Sequence, residues 1–84
     1  MNKNLYLDQW HFKDEIYPSY SVSYDVKRDD KSWECSIGDF VYNKETNQYR
    51  FQTEYDPVYI TQNEMEQILE MMKGLNAKLT QDNQ

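Results

Sequence analysis

Thr61 and Glu64 constrain this chain more than any other two residues. They sit three apart, immediately before an apolar run, and can form a reciprocal capping box. The Thr61 hydroxyl accepts from the Glu64 N–H, and the Glu64 carboxylate accepts from the Thr61 N–H. Ile60 and Met65 flank them at the positions of a hydrophobic staple. Apolar residues then recur at Met65, Ile68, Leu69, Met72, Leu75 and Leu79, a stripe with helical period. The pattern predicts a helix from Gln62 to about Lys78. Gly74 lies inside it and weakens it, since an interior glycine costs about 1 kcal/mol relative to alanine.

Everything before Ile60 reads as strand and turn. Tyr20, Val22, Tyr24 and Val26 alternate with serines and charges, the pattern of a half-buried strand. Arg28-Asp29-Asp30-Lys31 is a polar turn, and Trp33, Cys35 and Ile37 resume the alternation. A symmetric turn places Val26 opposite Trp33, Tyr24 opposite Cys35 and Val22 opposite Ile37, all on one face. The same logic carried backward sets Trp10 opposite Val22 and Phe12 opposite Tyr20 in a first strand. After Gly38 the apolar parity changes, to Phe40 and Tyr42, which predicts a β-bulge at Gly38-Asp39. Pairing Tyr42 with Tyr49 and Phe40 with Phe51 then keeps four rings together. Asp56-Pro57 ends the last strand, because proline donates nothing to a ladder.

The predicted fold is α+β: a four-stranded antiparallel meander with one C-terminal helix packed on its aromatic face, in the order ββββα. Length fits one domain over residues 1–84, with 1–4 and 80–84 frayed. Leu, Ile, Val and Phe make up only about 19% of the residues, below the roughly 20% that with high net charge signals disorder. Eight Tyr, two Trp and three Phe offset this, so the core is expected to be aromatic. So thin a core favours a homodimer. The other sheet face, with Ser21, Ser23, Asp25, Glu34, Ser36, Arg50 and Gln52, is expected to be solvated.

Net charge −6 and pI ≈ 4.6 argue against direct nucleic-acid binding, which needs Lys and Arg to release counterions, and favour a basic protein partner. No apolar run approaches the roughly 20 residues of a membrane span. One cysteine and no basic-apolar leader suit a cytoplasmic protein. His11, the only histidine, is expected at the surface; Cys35 is expected as a buried small hydrophobe. No metal site, cofactor or catalytic constellation is expected, and the chain does not read as an enzyme. Exposed tyrosines and acids are the expected partner-binding residues: Tyr17, Asp29, Asp30, Glu54, Tyr55, Asp56, Tyr59, Glu66 and Glu70. Acids spaced along the helix, as Glu66 and Glu70 are, could imitate nucleic-acid phosphates.

In size, acidity and poverty of motifs, the chain resembles small phage- or prophage-encoded accessory proteins, including anti-CRISPR and anti-restriction inhibitors. The resemblance is one of general character over the whole chain. It implies an inhibitor that acts by contact, directed at a nuclease, and assigns no residue a role. A structural or assembly protein working as a homodimer is the alternative.

Overall fold

The two central strands set the frame. In the computed structural model, which describes residues 4–11, 13, 15–53 and 59–82, β2 (Ser19–Arg28) and β3 (Lys31–Asn43) form one long hairpin. Asp29, at its tip, has a positive φ of 58°. The shorter β1 (Tyr6–Trp10) and β4 (Gln48–Thr53) flank it, giving an antiparallel sheet in the order β1-β2-β3-β4. The helix α1 (Gln62–Asp82) follows. This is the expected ββββα architecture.

The capping box forms as its residues dictate. The Glu64 N–H donates to Thr61 Oγ1 at 3.2 Å, and the Thr61 N–H donates to Glu64 Oε1 at 3.1 Å. Glu64 is almost wholly buried there. Ile68, Leu75 and Leu79 are buried against Val22, Phe40 and Tyr49, with Leu5, Leu7, Tyr20 and Phe51 packed around them. Burying each such side chain contributes roughly 1.5–3 kcal/mol. Two amides then tie the helix to both edges of the sheet. Gln67 Oε1 accepts from the Leu5 N–H at 3.0 Å, and Asn76 Oδ1 accepts from the Tyr49 N–H at 2.8 Å. Edge-strand donors that would otherwise template another chain are thereby satisfied.

The predicted pairs Val26–Trp33, Tyr24–Cys35, Phe40–Phe51 and Tyr42–Tyr49 are all present. Two registers and one element boundary differ from expectation. Leu7, not Trp10, lies opposite Val22, and Trp10 lies opposite Ser19. Phe12 falls outside the described residues. The shift is odd, so it exchanges the faces of β1: Leu7 enters the core and Trp10 crosses to the other side. There the Trp10 indole N–H finds Ser21 Oγ at 3.1 Å. The bulge is also displaced. Val22 lies opposite Gly38 and Ser23 opposite Ser36, so Ile37 is the extra residue. Ile37 is buried but stands apart from the helix-side cluster. Finally, the helix continues through Asp82 rather than fraying at Thr80; Asn83 and Gln84 lie outside the described residues.

Two expected core groups are not covered. Met65 and Leu69 are 59% and 48% exposed, because the helix turns Glu64, Ile68, Leu75 and Leu79 toward the sheet and leaves that flank of the stripe outside. Trp33 is 44% exposed. Its face of the sheet is the helix side, but β1 pairs only as far as Ser23 and β4 only as far as Gly38. Among the described residues, 24–37 therefore pair only with one another, as a two-stranded arm, and none of them joins the core cluster. The molecule is correspondingly long, 48 × 29 × 22 Å.

Gly74 sits in mid-helix, where an added Cβ would meet nothing within 4 Å. Gly74→Ala is expected to stabilise the fold by about 1 kcal/mol, since it only removes unfolded-chain entropy. In a domain of this size the thermal midpoint then rises by roughly 4–8 °C, readable by circular dichroism.

Candidate functional site

The face of the sheet opposite the helix collects acids. Alternation along β2 puts Ser21, Ser23 and Asp25 there; β3 adds Glu34, Ser36 and Asp39; the register of β1 adds Tyr6, Asp8 and Trp10. The face is less solvated than the sequence suggests, because β1 lays its aromatic rings on it. Ser23, directly opposite Tyr6, is fully buried, and Ser21 is half-buried.

Hydrogen bonds organise the carboxylates. Ser21 Oγ, which accepts from Trp10, donates to Asp39 Oδ1 at 2.9 Å. The Tyr6 hydroxyl donates to Asp25 Oδ1 at 2.8 Å. That bond holds the Tyr6 phenol far above its ordinary range, with a smaller push from Glu34. Asp25 lies directly opposite Glu34 in the β2–β3 ladder, a like-charge pairing that destabilises a sheet. Asp8 is close enough to share a proton with Glu34, and this contact raises the Glu34 carboxyl above the usual carboxylate range; Tyr6 pulls the other way. Among the described residues, no Lys or Arg pairs with Asp8, Asp25, Glu34 or Asp39.

The sign of the Glu34 shift fixes a pH dependence. A carboxyl raised on folding stabilises the fold below its unfolded value, and that stability is lost as pH rises through the folded value. At neutral pH the face therefore carries net repulsion. Glu34→Gln is expected to be more stable than the parent at pH 7. The difference should shrink toward zero as the pH falls below the carboxylate range. Urea midpoints measured across pH 3–8 check it, and a pH-independent difference would refute the assigned cause.

The sequence-predicted contact residues are dispersed. Asp29 and Asp30 stand exposed at the arm tip, and Glu66 and Glu70 on the outer surface of the helix, where Glu70 meets Lys73 at 3.4 Å. Tyr59 is 89% exposed. Tyr17 departs from expectation: it is half-buried, with its ring 4.7 Å from that of Tyr42. Glu54, Tyr55 and Asp56 fall outside the described residues. His11 is exposed, with Nε2 2.8 Å from the Glu15 carbonyl oxygen. Cys35 is half-buried on the helix-side face of the arm. Among the described residues no three His, Cys, Asp or Glu side chains are grouped to hold a metal ion.

The residues that converge, Asp8, Asp25, Glu34 and Asp39 with Tyr6 and Trp10, were not singled out by the sequence as contacts. The parity of β2 and β3 carried the signal for Asp25 and Glu34. Asp8 and Trp10 depended on the β1 register. Chemically, this set can accept hydrogen bonds from cations and offer aromatic faces to them. Comparison with protein-family models, curated proteins and solved structures finds no match. No helix among the described residues is long and apolar enough to cross a membrane.

Proposed function

We propose that the protein is a small binding module, an inhibitor or accessory protein rather than an enzyme, whose acidic sheet face docks on a basic surface of another protein. One observation carries the reading: Asp25 stands opposite Glu34, with Asp8 drawn beside them, and among the described residues no Lys or Arg forms an ion pair with any of the three. Such self-repulsion is a liability in a domain that only has to fold. An incoming guanidinium relieves it while gaining charge-assisted hydrogen bonds. Tyr6 and Trp10 suit arginine further, because a guanidinium stacks on aromatic faces. The sharper form of the reading is a phage-encoded inhibitor that occupies the basic nucleic-acid groove of a nuclease. The single Cys35 is compatible with action in a reducing cytoplasm.

The test uses the full chain and an arginine-rich peptide as probe. Saturable binding is expected at low salt, weakened about tenfold or more in moderate salt. The variant D8N/D25N/E34Q/D39N should lose at least as much again, whereas E66Q/E70Q should bind as the parent does. Co-purification from the native host with parent and face variant then identifies the protein retained only by the parent. Equal binding by parent and face variant would refute the reading.

A further inference from the structure

The face opposite the helix carries cations as well as acids, and the cations stand at its two ends. Alternation along β2 puts Lys27 on this face, two residues beyond Asp25. On β4, Arg50 lies opposite Val41. Phe40 and Tyr42, on either side of Val41, pack toward the helix, so Val41 and Arg50 belong to the acid face. Phe40 pairs with Tyr20, which sets Val41 and Arg50 level with Ser19. Along the strands the order is therefore Lys27, then Asp25 with Glu34, then Asp8 with Asp39, then Arg50. The stretch of β2 from Lys27 back to Ser19 spans roughly 27 Å. Lys27, Asp25, Glu34 and Arg50 are exposed, and Asp8 and Asp39 are half-buried. Among the described residues neither Lys27 nor Arg50 forms an ion pair. Ser23 occupies the level between the two pairs of acids, opposite Tyr6 and Ser36. Its hydroxyl is buried on this face and makes no hydrogen bond.

We propose that the occupant of this face is a protein segment with arginine at its centre and carboxylates at both ends. The proposal rests on the reading that the face docks on a basic partner, and it narrows that partner. A uniformly basic surface meets like charge at Lys27 and at Arg50, and juxtaposed like charges are costly. The Debye length at physiological salt is about 8 Å, far shorter than the spacing of the two cations. Each end is therefore read apart from the centre, and the net charge of −6 does not override it. Arginine suits the centre better than lysine. Its planar fork brings five N–H donors to carboxylates that face one another, at the level where Ser23 lacks a partner. The Tyr6 ring beside them offers the fork a stacking surface. In a nuclease groove, the same rule selects one bounded by acids.

Two peptides test the proposal on the full chain at about 150 mM salt. Both carry central arginines. One ends in glutamates and the other in lysines, with the end charges about eight residues apart. Fluorescence anisotropy should show the glutamate-ended peptide binding about fivefold tighter, although an acidic protein attracts it less at long range. K27E/R50E should reverse that preference. K31E/K73E has the same net charge but alters the arm tip and the helix, and should keep the parent's preference. All four positions are exposed, so circular dichroism should match the parent throughout. The proposal is overturned, with the basic-partner reading left standing, if the lysine-ended peptide binds the parent as tightly or more so. It is overturned equally if K27E/R50E keeps the parent's preference, or if K31E/K73E reverses it. Absence of binding by both peptides even at low salt would remove the basic-partner reading and this proposal together.

Discussion

Gly38→Ala is expected to lower the free energy of unfolding by about 3 kcal/mol, the upper end of overpacking effects. Gly38 occupies the middle of β3, paired with Val22 on one side and Thr53 on the other. A Cβ there would overlap the Gln52 carbonyl oxygen, and would stand 2.8 Å from Phe51 Cζ and 3.0 Å from Thr53 Cα. The Phe51 ring can swing. The Gln52 and Thr53 backbone cannot move without opening the β3–β4 ladder. The φ of Gly38 is not positive, so the effect is steric and owes nothing to a left-handed backbone. Urea denaturation checks it. A loss under about 0.5 kcal/mol would mean that β4 can shift freely, and that the close approach at Gly38 does not fix the sheet.

That glycine also shows how far the sequence could be read. A parity change across Gly38 was visible, and the bulge it implied exists one residue earlier, at Ile37. The consequence held, because either position returns Phe40 and Tyr42 to the helix side. The capping box was legible outright: it is local, and its partners are fixed by spacing. The arm's pairing was legible because a short turn transmits register directly. The register of β1 was not. Eight residues separate Trp10 from Ser19 in the sequence, too many to transmit a register, and both parities of β1 are apolar, Leu5 and Leu7 against Tyr6 and Trp10. What decides between them is that Trp10 and Tyr6 carry polar hydrogens that find Ser21 and Asp25, whereas the leucines have none. Helical period identified the stripe on α1 but not its rotation, so Met65 and Leu69 were expected in the core. The acidic site suffered in the same way. The sequence shows which residues are charged and exposed, and so favours the tip and helix acids. Convergence of Asp8 on Glu34 is a tertiary fact that only the β1 register creates.

Phe40→Ala is expected to cost about 3–5 kcal/mol, the usual range for emptying a fully buried aromatic site. Phe40 is completely buried at the centre of the sheet, between Tyr20 and Phe51, with its ring 5.4 Å from that of Phe51. A chain of 84 residues has roughly 4–13 kcal/mol in all, so this variant sits near its unfolding threshold even at room temperature. Phe40→Leu, which keeps most of the volume, should lose much less, and the difference between the two measures the cavity rather than the aromatic contact.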